Sequence, residues 1–270
     1  AYAYAHDCTG ASRILRREGN FRMTSNTTVD PAEVEKFGAM AAVWWDQAGP
    51  FKPLHRLNPV RLLFIRDRLA RRFGRDVNAE RPLEGLRIVD IGCGGGLLAE
   101  PLTRLGASVT GIDATEKNIS IARIHAAETG LDIDYRVTTA EALAAAGERF
   151  DAVLNMEVIE HVANVDMFLA ATAELTKPDG VMFLATLNRT AKSYALAIIG
   201  AEYVLRWLPR GTHDWQRFVK PSELAAGLRT AGMSIAEITG VVYNPFSDRW
   251  SLNANDLAVN YMAIAERPAE

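Results

Sequence analysis

Residues 87–96 read RIVDIGCGGG, a short apolar strand that runs directly into a glycine-rich loop. A turn from a strand into a helix needs residues without a Cβ atom where the backbone must pass close to a ligand. Asp90 stands just before the first glycine, where its carboxylate can orient the loop or meet a cationic group. Asp113 ends the next predicted strand, about 20 residues further on, where an acidic side chain can bind ribose hydroxyls. This stretch therefore predicts a nucleoside site at the carboxyl edge of a sheet.

Outward from this stretch, short apolar strands alternate with helices. That order is typical of an α/β protein with a Rossmann-like, doubly wound parallel sheet. The predicted strands are 86–91, 107–112, 133–137, 150–155, 180–186, 234–242 and 259–265, and the predicted helices are 97–105, 115–129, 165–175 and 221–231.

Two further helices are predicted before the sheet, as an N-terminal cap. Asp30 is expected to cap the first, with Pro31 in its first turn and Glu33 closing a capping box. This helix is expected to continue to a break at residues 49–50, and the second to follow Pro59.

The expected domain organisation is one large domain over residues 30–270, with the helical cap at 30–80 and an insertion at 188–220. Residues 1–29 are expected to be a disordered tail or an extended start, because residues 1–22 show neither helical nor strand periodicity. The arginines of this tail are interrupted by acidic residues, which argues against a transit peptide.

Composition narrows the class of protein. The chain has 270 residues, of which 49% are hydrophobic and 23% charged, as in an ordinary globular protein. A formal net charge of -3 argues against nucleic acid as a partner. The two cysteines cannot form a disulfide framework, and no apolar run is long enough to span a bilayer or to direct secretion. These features predict a cytoplasmic protein.

A second polar cluster follows the fourth predicted strand. Glu157, Glu160 and His161 are spaced i, i+3 and i+4, so on one helical turn they would share a face and could converge on a cation. Carboxylate oxygens with an imidazole suit Mg²⁺, Mn²⁺ or Zn²⁺. The alternative is a solvated acidic turn, with His161 as a general base or a packing residue.

The glycine loop and its acidic neighbours resemble those of the class I S-adenosylmethionine-dependent methyltransferases. A dinucleotide site would have its third glycine where this chain has Leu97. The resemblance implies a seven-stranded sheet whose last strand is antiparallel. It also implies that Asp113 binds the ribose, and that Asp90, Gly92 and Gly94 belong to the site for S-adenosylmethionine and its product S-adenosylhomocysteine. The alternative is a loop that serves packing alone.

A closer resemblance covers almost all of the chain from residue 30 onward. The strings at 44–46, 51–61, 156–162, 186–189 and 211–214 are similar to those of the ubiquinone biosynthesis O-methyltransferases. The resemblance implies O-methylation of a polyprenyl-tailed dihydroxybenzoate or catechol, and later of demethylubiquinol. It implies that cofactor contacts come from Arg61, Gly92, Asp113 and Val158, and that divalent-cation ligands come from Glu157, Glu160 and His161.

On this interpretation a cation would hold both catechol oxygens and favour the nucleophilic phenolate. Glu160 and His161 are then the expected catalytic residues, with His161 as general base if no metal binds. Trp44 and Trp45 are interpreted as cap-interface residues, with substrate stacking as the alternative. Arg61 is expected to pair with the cofactor carboxylate, and a surface salt bridge is its alternative.

The insertion contains an apolar segment at 194–208 that is too short to span a bilayer. Tyrosine, tryptophan and flanking basic residues suit a headgroup boundary, so peripheral docking on an anionic membrane is predicted, on the matrix side in a mitochondrion. A lid helix or a dimer surface is the alternative. Other proteins of ubiquinone biosynthesis are further candidate partners.

Three rival functions remain at this stage. A nicotinamide-dependent oxidoreductase would need the longer glycine spacing, which is absent. A non-catalytic cofactor- or lipid-binding protein would not need the Glu157, Glu160 and His161 cluster. A methyltransferase of another small phenol would share every motif above.

Overall fold

The computed structural model describes residues 27–196, 198, 214–245 and 247–268. The strands in these ranges are β1 Arg87–Ile91, β2 Ser108–Asp113, β3 Asp134–Val137, β4 Phe150–Met156, β5 Thr176–Leu187, β6 Ser234–Asn244, β7 Arg249–Asn253 and β8 Asn260–Glu266. They form one sheet in the order β3-β2-β1-β4-β5-β8-β6-β7. The first five strands are parallel, and β8 runs antiparallel to β5. The predicted doubly wound α/β fold is confirmed.

The described sheet has eight strands where seven were predicted. The added strand, β7, pairs antiparallel with β6 at the edge of the sheet. Four of its five residues are exposed. Its sequence RWSLN alternates polar and apolar residues, a strand pattern that the prediction did not assign. Strand β5 begins at Thr176, four residues earlier than predicted. Residues 176–179 form this extension, and the register against β4 is irregular between it and the rest of the strand.

The α-helices of the described chain are α1 Pro31–Ala39, α2 Lys52–Arg72, α3 Ala99–Arg104, α4 Glu116–Glu128, α5 Ala140–Ala145, α6 Val165–Leu175, α7 Ala191–Ser193 and α8 Pro221–Thr230. Short 3-10 helices lie at Ala41–Val43, Ile159–His161 and Trp215–Arg217. Helix α5 was not predicted from the sequence.

The N-terminal cap differs from the prediction in three respects. Asp30 caps α1 by accepting from the backbone N–H of Ala32 at 3.0 Å, but α1 ends at Ala39 instead of continuing to residues 49–50. Helix α2 begins at Lys52 and contains Pro59, so one backbone hydrogen bond is missing inside it. Glu33 does not close a capping box, because its carboxylate contacts His161.

Helices cover both faces of the sheet. Ile88 packs with residues of α2, α3 and α4 on one face, whereas Val89 packs with residues of α5, α6 and α8 on the other. Phe64 in α2 and Leu169 in α6 are almost fully buried on opposite sides, and each such side chain stabilises the fold by roughly 1.5–3 kcal/mol. Consecutive residues of β1 therefore point alternately toward the two cores. This alternation fixes the face of the sheet toward which the side chain of Asp90 points.

Strand order reverses between β1 and β4, which both continue toward the same carboxyl edge. Ligands of open α/β sheets bind at such a reversal. The glycine loop follows β1 and residues 157–161 follow β4, so the topology brings both predicted clusters to one edge. No helix among the described residues has both the length and the apolar character needed to cross a bilayer. Most of the predicted membrane segment 194–208 lies outside the described residues.

Candidate active site

The glycine loop passes so close to two side chains that a Cβ atom would not fit. Gly92 has φ +67° and its added Cβ would lie 2.7 Å from a methyl group of Val158. Gly94 has φ +54°, and its Cβ would lie 2.4 Å from the indole of Trp44. Both positions combine a left-handed backbone with a close approach, which only glycine accepts without strain.

Asp113 holds the glycine loop from the end of β2. Its carboxylate accepts from the backbone N–H of Gly94 at 3.1 Å and of Thr115 at 2.7 Å. The side-chain amide of Asn118 donates to it at 3.2 Å. Burial raises the pKa of Asp113 above its ordinary value, although these three hydrogen bonds oppose the rise.

Trp44 closes the same region from the cap. Its indole N–H donates to the side-chain oxygen of Asn118 at 2.9 Å, and its ring stacks on Phe51 with the centroids 3.7 Å apart. Trp44 is 7% exposed, which fits the predicted role at the cap interface. A chain of two hydrogen bonds thus joins the cap to Asp113 through Asn118.

Arg61 and Asp90 are both buried, and each feels the charge of the other. Arg61 is 4% exposed, so its alternative assignment to a surface salt bridge is wrong. The guanidinium donates to Asn58 at 3.2 Å, while its Nε has no hydrogen-bond partner among the described residues. Burial raises the pKa of Asp90 to about 7, with the charge of Asp113 adding to the rise and that of Arg61 opposing it.

The prediction that residues 157, 160 and 161 share one face of a helical turn is wrong. Glu157 has φ +61° and precedes the 3-10 helix Ile159–His161. A 3-10 helix has three residues per turn, so adjacent residues 160 and 161 project in directions about 120° apart. In the described ranges, no three His, Cys, Asp or Glu side chains are grouped to hold a metal ion.

Glu160 is the buried member of this cluster, at 4% exposure. Its Oε2 accepts from the hydroxyl of Thr186 at 2.8 Å, and its Oε1 has no hydrogen-bond partner among the described residues. Burial and the nearby charge of Glu157 raise the pKa of Glu160 to about 8.

His161 is held from the cap. Its Nδ1 lies 2.9 Å from Oε2 of Glu33, and the edge of its ring meets Phe37 with the centroids 5.1 Å apart. The hydrogen bond from His161 lowers the pKa of Glu33 to about 2. The acceptor of this bond is a carboxylate, so the imidazole nitrogen must donate.

One cavity of about 270 Å³ connects these groups. Most predicted site residues line it, namely Arg61, Asp90, Gly92, Asp113, Glu157, Val158, Glu160 and His161. Gly94 does not, because the indole of Trp44 covers it. Apolar residues of the cap form much of the remaining wall, so one chamber joins a nucleoside-type region to an acidic, histidine-bearing region.

Comparison with known proteins decides the family. A model of the methyltransferase domain matches residues 89–184. The chain is 60% identical over 246 residues to the ubiquinone biosynthesis O-methyltransferase of Brucella anthropi, covering 91% of this chain and 99% of the relative. It is also 60% identical to that of Chelativorans sp. (strain BNC1), covering 90% and 95%. The chain belongs to the ubiquinone biosynthesis O-methyltransferase family. It is an S-adenosylmethionine-dependent O-methyltransferase.

Solved structures agree on the fold of this methyltransferase. The magnesium protoporphyrin IX methyltransferase of Synechocystis PCC 6803, with bound SAH, superposes with a TM-score of 0.53 at 24% identity, covering 76% of this chain and 83% of that one. A putative methyltransferase in complex with the Haloferax volcanii Trm112 activator gives 0.55 at 18% identity, covering 87% and 98%.

Sequence reasoning missed several residues of the methyltransferase site. Asn118 and Thr186 contact predicted site residues. Asn118 belongs to none of the quoted strings, and Thr186 lies in the string 186–189 but was given no role there. Glu33 was assigned to a helix cap because its spacing from Asp30 satisfies the capping-box pattern. The sequence does show that Glu33 lies one helical turn before Phe37, so the two side chains share a face of the helix. In the structure this face meets His161.

Proposed function

We propose that this methyltransferase acts on prenylated catechols of ubiquinone biosynthesis, a polyprenyl-dihydroxybenzoate or polyprenyl-catechol and later demethylubiquinol. The observation that carries the proposal is the single cavity in which buried Asp113 and buried Glu160 are joined by an apolar wall from the cap. An aromatic acceptor needs that apolar wall, and its hydroxyls need polar groups at one end. The name of the relatives at 60% identity supports the same substrate class.

The cofactor half of the proposal assigns a partner to each buried polar group. Asp113 would hold the ribose hydroxyls, and Asp90 would meet the ammonium group. The Nε of Arg61 would donate to the carboxylate of the methionine part, which explains why a buried donor lies without a partner. Gly92 and Val158 would contact the adenosine, and Gly94 would let the glycine loop lie close to the cofactor.

When bound, S-adenosylmethionine supplies a sulfonium methyl group that is already activated for transfer. The protein's contribution is to align the acceptor oxygen and remove its proton. Where no cation is bound, His161 accepts the phenolic proton, the oxygen forms its bond to the methyl carbon, and the electron pair of the broken carbon–sulfur bond stays on sulfur. Glu160 lines the same cavity and would meet the acceptor hydroxyls.

We also propose that a divalent cation, Mg²⁺, Mn²⁺ or Zn²⁺, binds at Glu157, Glu160 and His161, whose side chains line one cavity but are not grouped at ligand distance in the described structure and would have to be drawn together by the cation. The support is the buried Oε1 of Glu160, which lacks a hydrogen-bond partner, and the second carboxylate nearby on Glu157. His161 would contribute Nε2, since Nδ1 is the nitrogen that meets Glu33. Such a cation would lower the pKa of an acceptor hydroxyl.

The test combines methyl-labelled S-adenosylmethionine with a short-tail catechol, with and without a chelator. Transfer of label to one catechol oxygen is expected, together with loss in chelator and recovery with added Mg²⁺ or Zn²⁺. Full activity in chelator would reject the cation and leave His161 as a simple general base. Label transfer to unrelated phenols but not to catechols would reject the proposed substrate class.

A peripheral position on an anionic membrane, on its cytoplasmic side, completes the proposal. Tyr194 is 47% and Leu196 54% exposed, so the described start of segment 194–208 presents apolar surface. A substrate with a polyprenyl tail resides in the bilayer, and an enzyme that docks there reaches it directly. Lys192 pairs with Asp256, which reduces its contribution to attraction by anionic lipid.

Co-sedimentation with vesicles of anionic and neutral lipid tests this docking. Leu196→Glu combined with Ile198→Glu should release the protein from anionic vesicles and lower activity on long-tail substrates. Activity on a soluble short-tail catechol should persist. Leu252→Glu is the matched control, because Leu252 is an exposed apolar residue on β7. A double variant that still sediments with vesicles would reject the docking segment.

A further inference from the structure

Glu33 lies in the first turn of α1, yet its carboxylate contacts a residue 128 positions later in the chain. Oε2 of Glu33 lies 2.9 Å from Nδ1 of His161. Because a carboxylate only accepts hydrogen bonds, Nδ1 must donate, and in the neutral form of the imidazole it carries the one ring proton. The lone pair of the ring is then on Nε2.

The Glu33 carboxylate is itself oriented by cations from two directions. Arg217 lies in the 3-10 helix that precedes α8, and its Nη1 is 3.7 Å from Oε1 of Glu33. Its Nη2 donates to Asp30, the N-cap of α1, at 2.7 Å. Lys36 approaches Oε2 at 3.3 Å from the next turn of the helix. The carboxylate therefore has a fixed direction relative to the cap.

Phe37 completes the support of the histidine ring. It follows Glu33 by four residues, so both side chains leave the same face of α1. The edge contact with His161, at an interplanar angle of 87°, restricts rotation of the imidazole ring about its Cβ–Cγ bond. The side chains of Glu33 and His161 are only 20% and 16% exposed, so water competes little for the hydrogen bond.

We propose that Glu33 is a positioning residue that fixes the tautomer and the orientation of His161 for methyl transfer. This inference rests on the proposed function. Both roles considered for His161, proton acceptor and cation ligand, need the lone pair on Nε2. A carboxylate that accepts a hydrogen bond from the opposite nitrogen selects that tautomer and raises the basicity of the ring.

Steady-state kinetics on the full chain test the link. Glu33→Ala should lower kcat about 10- to 100-fold, with the KM for a short-tail catechol and the affinity for S-adenosylhomocysteine within about twofold of wild type. Glu33→Gln should recover part of kcat, because an amide oxygen still accepts from Nδ1. Glu35→Gln is the matched control, since Glu35 is exposed on the same helix, and it should behave as wild type.

A double-mutant cycle separates positioning from general support of the fold. If Glu33 acts through the histidine, Glu33→Ala should cause no further loss in a His161→Ala background. Equal losses in both backgrounds would overturn the proposal and assign Glu33 to the stability of the cap. Unchanged kcat in Glu33→Ala would overturn it as well.

Nitrogen-15 NMR of the imidazole gives a readout that does not depend on turnover. Wild type should show a protonated Nδ1 and a pyridine-like Nε2, and Glu33→Ala should shift His161 toward a mixture of tautomers. An unchanged tautomer in Glu33→Ala would overturn the inference. If wild type fails to methylate any catechol, the proposed substrate class is rejected, whereas the NMR comparison still decides the role of Glu33.

Discussion

In the nucleoside half of the cavity, Asp113 binds the backbone N–H groups of Gly94 and Thr115, 19 and 2 residues away in the chain. In the acceptor half, which comprises residues 157–161 and their cap contacts, Glu33 reaches His161 across 128 residues. The first half is made by one strand–loop–helix unit and the start of the next. The second half forms only when the cap packs against the sheet.

The two halves should respond differently to amino-acid substitution. On the proposed assignment, a substitution in the nucleoside half should alter cofactor affinity through local backbone and hydrogen bonds. A substitution in the acceptor half should alter turnover while cofactor affinity persists, because the proposal places these groups against the acceptor and not the nucleoside. The two halves are joined by Trp44 and Asn118, through which the cap contacts Asp113.

The largest effect is expected in the acceptor half, for Glu160→Ala. Removal of the buried carboxylate should lower kcat roughly 1,000-fold, within the range of lost acid–base or cation assistance. The affinity for S-adenosylhomocysteine, measured by calorimetry, should stay within about twofold. A parallel loss of cofactor affinity would show that the two halves are not independent.

In the nucleoside half, Asp113→Ala should weaken S-adenosylhomocysteine binding roughly 100-fold, because the loop N–H groups and, on the proposed assignment, the ribose hydroxyls lose their acceptor. Circular dichroism should show an unchanged fold. Unaltered affinity in the calorimeter would place the ribose elsewhere and undermine the assignment of this half.

Gly94→Ala should have a smaller effect and weaken cofactor binding about 30-fold. The added Cβ would clash with Trp44, and the left-handed backbone at this position disfavours any residue with a Cβ. Gly147→Ala is the matched control, because Gly147 has φ +78° but nothing within 4 Å of an added Cβ. It shares the backbone strain without the clash. Gly147 does not line the cavity, so an equal loss of cofactor affinity in both variants would assign the effect to a general loss of stability.

The smallest expected effect is a dependence of cofactor affinity on pH. The pKa of Asp90 in the cofactor-free protein is raised to about 7, so its proton is bound at pH 6 and lost as the pH rises through 7. The ammonium group of the cofactor favours the ionised form, so affinity should rise up to about tenfold between pH 6 and pH 8. Asp90→Asn should abolish the rise, and a rise that persists in this variant would assign it to another group.

Several features of the fold followed from local pattern alone. The parallel strands through β4 and helix α6 were predicted to within a residue or two, because buried strands and amphipathic helices carry their periodicity in the sequence. The cap was predicted less well. Helix α2 begins before Pro59, since packing of Phe64 and its neighbours outweighs one lost backbone hydrogen bond.

The amino-acid sequence determined the order of strands and helices, the glycine loop and the acidic residue at the end of β2. Each depends on neighbours within one supersecondary unit, where spacing fixes geometry. The tertiary structure decided the direction of Glu33, the 3-10 turn that separates Glu160 from His161, and the Trp44 contact with Asn118. Those contacts join distant segments, and only the packing of the cap on the sheet brings their side chains within hydrogen-bonding distance.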